Sequence, residues 1–332
     1  MSKVKIVCVT PVKNEEWILD RFLSCTSLWA DHIIIADQNS NDNTPEICKK
    51  YQKVIYFQNL IENYDEEARQ KLLLNKAREI PGPKLIFALD ADEFITSNSL
   101  QTNEWNELKN LSPGTSLHLK WINVYPGFKK YWSPNFNLPF AFIDDGTVHS
   151  GNKIHSARIP INEKLLKYSN DIKVLHFQYT DWERMKSKHR WYLCYEKINI
   201  KNKPIGNYRI YSHMYRIKKS DKKMFNPDWI DYYENNGINM KTVNVDQTYW
   251  WDKEVLNYLD KHGNEYFKNE KIWGIDWVAT GKKINRISES YKDPRGIILK
   301  LVHFWLENTK KYENRYINKI DTLFAGLINK FS

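Results

Sequence analysis

The chain has 332 residues, 14% of them aromatic, and a formal net charge of +10, enough length for one large domain with an extension or for two domains. Its basic residues are scattered in pairs such as Lys129-Lys130, Lys218-Lys219 and Lys310-Lys311 rather than gathered into a tract, which argues against a nucleic-acid module. Four cysteines without a C-x-x-C pair exclude a disulfide scaffold and fit a reducing, cytoplasmic setting, and no run reaches the ~18 apolar residues of a membrane-spanning helix.

In chain order, four short and nearly continuous apolar runs at residues 4–10, 32–36, 54–57 and 85–89 read as strands covered on both faces. The first begins too close to Met1 for a signal peptide to precede it. Helical patterns lie between the runs, so βαβ units and a mainly parallel sheet are expected. Residues 15–29 carry Ile18, Phe22, Cys25 and Trp29 at spacings of three and four. Thr44-Pro45-Glu46 reads as a cap, a first-turn proline and an acid at the positive end of a helix. Residues 66–78, with Ala68, Leu72 and Ala77, make a third helix that Pro81-Gly82-Pro83 stops.

Beyond residue 100 the pattern turns aromatic, from Trp121 and Tyr125 to Phe140 and Phe142, and reads as strands and long loops. Residues 181–199 look helical, and 218–226 is the best boundary candidate. The tail carries Tyr316, Ile317, Ile320, Leu323, Phe324, Leu327, Ile328 and Phe331 at helical spacing beside Lys310, Lys311, Arg315, Lys319 and Lys330. Such an amphipathic basic helix packs back on its domain or on a dimer partner, or lies on a membrane surface.

In open parallel sheets, ligands bind beyond the carboxyl ends of the strands. Polar clusters stand at those ends here: Thr10-Pro11-Val12-Lys13-Asn14-Glu15, then Asp37-Gln38-Asn39-Ser40-Asn41-Asp42-Asn43-Thr44, then Asp90-Ala91-Asp92-Glu93. Two carboxylates flanking one small residue aim at a single hard cation whose open positions take phosphate oxygens. A diphosphate donor with Mg²⁺ or Mn²⁺ follows, the cation acting as a Lewis acid on the leaving group. Neither a dinucleotide glycine fingerprint nor a P-loop is present. Asp37 can accept hydrogen bonds from a base or ribose, while capping is the leading role for Ser40 and Thr44.

Together these three clusters resemble the family 2 glycosyltransferases. The resemblance implies a GT-A fold, and a nucleotide-sugar donor, a UDP-sugar by preference, held by Thr10, Pro11, Asn14, Glu15, Asp37, Asn39 and Ala91. It sets Asp92 and Asp90 near the metal and diphosphate and Arg69 and Lys71 near the donor. It also implies single-displacement inversion with a carboxylate base, for which Asp145, with Asp144 beside it, is the candidate. His176, in a strand-end segment like one common in the family, is a third metal ligand or diphosphate contact by the same resemblance, imidazole suiting Mn²⁺ better than Mg²⁺. The expected organisation is a transferase domain over residues 1–220, divided near residue 100 into donor-side and acceptor-side halves, and a mainly helical extension over 221–332. The implied task is adding a sugar to a glycan or lipid-linked acceptor in surface polysaccharide synthesis, in the cytoplasm or at the inner face of the cell membrane. A sugar-phosphate nucleotidylyltransferase would use the same metal but needs a glycine-rich first loop, and an inactive carbohydrate-binding scaffold would not need Asp90 and Asp92.

Overall fold

The first strands form because their residues are apolar on both faces, and in the computed structural model helices cover both. It describes residues 3–61, 64–200, 203–243, 245, 248–286 and 291–330. β1 (Lys5–Val12), β2 (His32–Asp37), β3 (Val54–Gln58) and β4 (Lys84–Ala88) pair in parallel in the order β4-β1-β2-β3. Leu85, Ile86 and Phe87 in β4 and Ile33, Ile34 and Ile35 in β2 are fully buried. This is the buried parallel sheet that uninterrupted apolar runs call for.

The first connecting helix is shorter than expected and the second is capped one residue earlier. α1 (Leu19–Ser27) buries Leu19, Phe22, Leu23 and Cys25, while Glu15 to Ile18 make a turn ahead of it. In α2 (Thr44–Cys48) the cap position belongs to Asn43, and Thr44 is already inside the helix. The Thr44 hydroxyl instead accepts the Glu15 N–H at 2.9 Å, and Ser40 Oγ accepts the Asn14 N–H at 2.8 Å. Both hydroxyls tie the second loop to the first rather than cap a helix. α3 (Glu66–Arg78) has the expected bounds, with Asp65 capping it through the Ala68 N–H at 2.9 Å. It buries Gln70, Leu73, Leu74 and Ala77.

After β4 come β5 (Glu93–Ile95), α4 (Asn103–Glu107), β6 (Ser116–Val124), β7 (Lys130–Trp132), β8 (Leu138–Ile143) and β9 (Leu166–His176). The chain then runs through α5 (Trp182–Asn199) and α6 (Pro204–Tyr211), and β10 (Lys223–Met224) and α7 (Asp228–Asn235) follow. β8 lies antiparallel to β4 and continues the sheet to β6, β7 and β10, while β9 pairs with β6 in parallel and with β5 antiparallel. The result is the expected α/β fold, a mainly parallel central sheet flanked by helices and followed by a helical C-terminal region, consistent with a GT-A-like, Rossmann-like arrangement.

Two compact units divide the chain, Met1–Thr180 with Lys223–Asn244, and Asp181–Lys222 with Val245–Ser332. The first holds the sheet. The second is helical, adding α8 (Trp250–His262), α9 (Trp277–Lys282), α10 (Ile297–Thr309) and α11 (Arg315–Lys330) to α5 and α6. Asp181 caps α5 through the Glu183 and Arg184 N–H groups at 3.0 and 3.2 Å. Ile205 and Tyr208 of α6, Val302 and Leu306 of α10 and Ile328 of α11 share one apolar cluster. Arg209 holds Asp321 through two hydrogen bonds of 2.7 and 2.9 Å. The amphipathic tail therefore packs on its own unit through one face; Phe331 lies outside the described residues.

Inside the helical unit His303 is buried, donating from Nε2 to the Asn269 carbonyl at 3.1 Å with Arg295 Nη1 2.7 Å from Nδ1. Burial first, then the neighbouring Arg295 charge, lowers its pKa from 6.5 to about 3. The unfolded chain takes up this proton below pH 6.5 and the folded one does not, so the contribution is complete above pH 6.5 and is lost as the pH falls toward 3. Urea midpoints should therefore drop on acidification through that range, and His303→Gln should flatten the slope. A variant with the wild-type slope would show that the acid sensitivity arises elsewhere.

Candidate active site

Strand register brings the three polar clusters to one edge of the sheet. Val12 in β1 stands opposite Asp37 in β2, Val9 opposite Ala88 in β4, and the Leu89 N–H donates to the Val9 carbonyl at 3.2 Å. Asp37 is buried and already engaged. Its Oδ1 accepts from the Ser40 N–H and hydroxyl at 3.0 and 2.6 Å, and its Oδ2 from the Tyr56 hydroxyl at 2.7 Å. Asn14 and Asn39 both adopt left-handed backbone, with φ of 55° and 54°, a conformation asparagine tolerates better than most residues. Asn14 Oδ1 accepts the Asn41 N–H at 2.8 Å, and Asp42 Oδ2 accepts that of Glu16 at 3.1 Å. Thr10 is buried, Pro11 half-buried, and Glu15 accepts from the Trp17 indole N–H at 2.7 Å. The two loops are thus locked to each other by side chain to backbone bonds.

The acidic cluster is organised around Glu93, which is 0% exposed. Its Oε1 accepts from the Trp121 indole N–H at 2.8 Å and its Oε2 from the Asp90 N–H at 2.9 Å, with Arg158 closing the ion pair on Oε2. Burial pushes the Glu93 carboxyl up to about 7, against the pull of Arg158 and with Asp90 and Asp92 adding to the rise. The same guanidinium reaches Asp90 Oδ2 at 2.9 Å. Asp90, expected as a metal ligand, is therefore turned toward Arg158. Ala91 is buried between the two aspartates.

Asp92 is placed differently. Glu93 and His176 are direct partners in the β5–β9 pairing, and the Phe177 N–H donates to the Asp92 carbonyl at 2.8 Å. This brings His176 Nε2 within 3.6 Å of Asp92 Oδ2. The ring stacks on Trp121 at 4.3 Å between centroids, and its Nδ1 is 2.7 Å from Asn123 Oδ1. Since that oxygen only accepts, Nδ1 donates to it, which fixes the ring with its Nε2 turned toward Asp92. A histidine fixed through its far nitrogen beside a carboxylate is the arrangement found around ligated metals. Among the described residues no three His, Cys, Asp or Glu side chains converge as a ready-made metal cage. A cation held by one or two protein groups and completed by substrate phosphate oxygens needs none.

The expected catalytic base stands elsewhere. Asp144 and Asp145 are at the opposite end of β4: Ile143 pairs with Leu85, and the Asp144 N–H donates to the Lys84 carbonyl at 2.9 Å. At about 3.3 Å per strand residue, more than about 15 Å separates them from Asp90. Asp144 is a structural partner of Arg78, with hydrogen bonds of 3.0 and 2.8 Å. We therefore correct the assignment of the catalytic base to Asp145, or to Asp144. Lys71 pairs with Glu67 along α3 at 2.7 Å, and the Arg69 guanidinium lies over the Tyr64 ring at 5.3 Å. What α3 does supply is support for Arg158, whose carbonyl accepts from Gln70 Nε2 at 2.9 Å. Arg158, Asn123 and the indole of Trp121 went unassigned in the sequence. The third acid of Asp90-Ala91-Asp92-Glu93 was the visible signal that a buried cation must face it.

Residues 7–102 match the family described as Glycosyl transferase family 2. The match supports a family 2 glycosyltransferase-like domain in this part of the chain. Such a domain supports a transferase that uses a nucleotide-sugar, and family 2 enzymes commonly depend on a divalent metal. The match covers β1 to β5, which carry every donor-edge residue described above except those from β6, β9 and the Arg158 segment. No curated protein matches the chain. Among solved structures, the chain is similar to 4-diphosphocytidyl-2C-methyl-D-erythritol synthase at 9% identity and TM-score 0.27, covering 43% of this chain and 73% of that one. A mannose-1-phosphate geranyltransferase from Thermus thermophilus matches at 14% identity and TM-score 0.26, over 40% and 50% of the two chains. The inositol-1-phosphate CTP transferase from T. maritima matches at 8% identity and TM-score 0.32, over 60% and 99%. Likeness at this level carries no activity across.

Arg158→Met should lower stability by about 3 kcal/mol, because it leaves the Glu93 charge buried without its cation. Adding Glu93→Gln should recover much of the loss in urea unfolding. Equal destabilisation by the single and double variants would show that the Glu93–Arg158 ion pair does not organise the acidic turn.

Proposed function

We propose that the chain is an inverting glycosyltransferase that moves a sugar from a nucleoside diphosphate donor, a UDP-sugar by preference, to a glycan or lipid-linked acceptor of a surface polysaccharide. The observation that carries this reading is Asp92 beside the oriented Nε2 of His176, on the sheet edge that also bears the interlocked Thr10–Glu15 and Asp37–Thr44 loops. Asp92 and His176 would hold Mn²⁺ or Mg²⁺ together with the donor diphosphate. The bound cation would supply Lewis-acid stabilisation of the leaving nucleoside diphosphate. Pro11, Asn14, Glu15, Asp37 and Asn39 form the donor's nucleoside side, with Asp37 orienting the loop through Ser40. Arg158 holds Asp90 and Glu93 in place, so Asp92 reaches the diphosphate from a fixed turn. A nucleotidylyltransferase reading is less favoured, because Thr10-Pro11-Val12-Lys13-Asn14-Glu15 is not a glycine-rich loop.

A ligand that binds only the folded state raises its melting temperature. Melting the protein with UDP, GDP, CDP or dTDP, with and without Mn²⁺, should give a metal-dependent rise with one of them, UDP by preference. Asp92→Asn should lose that rise while melting normally, and Asp145→Asn should keep both the rise and turnover. No rise with any diphosphate would sink the donor assignment.

An acceptor at a membrane also accounts for an exposed apolar face on α10. Ile297, Ile298, Leu301 and Phe304 are 80%, 49%, 61% and 68% exposed, at positions that share one side of the helix. Residues 297–328 hold five basic and three acidic side chains, and the acids Glu307, Glu313 and Asp321 pair with Lys271, Arg216 and Arg209 within the unit. That leaves cationic charge beside the apolar face, complementary to anionic lipid headgroups. Among the described residues no helix is long and apolar enough to cross a membrane, so the contact would be peripheral. The protein should sediment with phosphatidylglycerol-containing vesicles and not with phosphatidylcholine alone, and Leu301→Ser with Phe304→Ser should release it. A wild-type protein that stays in the supernatant overturns the membrane assignment.

A further inference from the structure

The helical unit contains a cavity of about 460 Å³ between α5, α6, the segment before α9 and the end of α10, within the roughly 300–1,000 Å³ of small-ligand sites. Its wall joins three kinds of group. Lys186, Arg190, Lys271 and Lys310 supply cations, Glu183 and Glu307 carboxylates, and Tyr208, Tyr211 and Tyr215 rings. We infer that this cavity is a second ligand site, one that takes a phosphorylated saccharide.

Charge selects the phosphate. The Glu307 carboxylate is met by Lys271 Nζ at 3.2 Å, by Lys310 and by the Tyr208 hydroxyl at 3.0 Å. Two ammonium groups thus share one carboxylate. Arg190 is held outside that exchange by Asp252, through bonds of 2.8 and 2.7 Å, and Lys186 by Glu183 at 2.7 Å. The excess positive charge at Lys271 and Lys310 faces a concave space where Lys271 is only 10% exposed, so an anion there is attracted through little intervening water. His189 in the same wall is buried, and burial first, then His213, Lys188 and Arg190, lowers its pKa from 6.5 to about 3.

Ring geometry selects the saccharide. Tyr211 stacks on Tyr192 at 5.2 Å and 6° between planes, and Tyr215 on Trp182 at 5.7 Å and 21°. The Lys310 ammonium lies 4.1 Å from the centre of the Tyr215 ring. These rings are held in fixed orientations, and flat aromatic faces pack against the apolar faces of sugar rings. Glu183 and the Ser212 hydroxyl add hydrogen-bonding groups for sugar hydroxyls. Lysines over tyrosines, beside a carboxylate, suit a sugar that carries a phosphate better than either moiety alone.

The chemistry is read from this lining and does not depend on the transferase reading. Calorimetric titration of the full chain would use glucose 6-phosphate, glucose and inorganic phosphate as probes. Glucose 6-phosphate should bind at least tenfold more tightly than the other two. Lys271→Met with Lys310→Met should abolish that binding while leaving the melting response to UDP and Mn²⁺ intact. Asp92→Asn should do the reverse, so failure at one site is distinguishable from failure at the other. Lys310→Met alone, at a side chain 23% exposed, should weaken binding several-fold and serves if the double variant does not fold. The proposal is overturned if glucose 6-phosphate gives no heat, if inorganic phosphate binds as tightly, or if the lysine variants bind like wild type.

Discussion

A single buried charge holds the donor edge together. Glu93 sits in the turn after β4 with no exposure at all, and a carboxylate so placed must be met by donors or lose its charge. The donors come from two distant parts of the sequence, the indole of Trp121 on β6 and the Arg158 guanidinium, and from the neighbouring backbone N–H of Asp90. Satisfying them fixes the acidic turn against β6 and β9 at once. The position of Asp92 beside His176 follows, because His176 is the residue that β9 sets opposite Glu93.

The loops after β1 and β2 are fixed by a different device. Residues 14, 15 and 16 present three successive N–H groups to Ser40, Thr44 and Asp42. Asn41 and Asn43 answer with N–H groups given to Asn14 and Glu16. Each loop therefore satisfies the backbone of the other, and neither needs an ordered ligand to hold its shape. Much of the entropy of ordering the loops is then met on folding rather than on binding, the general advantage of a pre-organised site.

How much of this was legible in the sequence depended on whether the signal was local. The strands of the first hundred residues were visible because both faces are buried, which erases alternation and leaves runs such as Ile33-Ile34-Ile35. The three polar clusters were visible because strand ends place them. Thr44 was misread because a hydroxyl before a proline has the local signature of a cap, while its partner, the Glu15 N–H, is 29 residues away. Asp145 was misread because distance along the chain says nothing about direction in space. The antiparallel return of β8 carries residues 144 and 145 back to the start of β4, away from the end that bears the aspartates. Arg158 had no local signature at all: its partners Asp90 and Glu93 lie 68 and 65 residues earlier.

The charge balance at the donor edge bears on how a diphosphate could bind there. Asp90, Asp92 and Glu93 place three carboxyl groups within four residues, and Arg158 is the cation paired with two of them. Part of the surplus is relieved within the protein, since the Arg158 guanidinium reaches both Asp90 and Glu93. The remainder lies at Asp92, on the side facing Nε2 of His176. A diphosphate brought to this edge alone would meet like charge at short range, at a cost that rises as water is excluded. A divalent cation entering with the donor would offset that cost and would also neutralise charge that develops on the leaving group. The acidic surplus is thus a physical reason for the metal-assisted reading, independent of the family match.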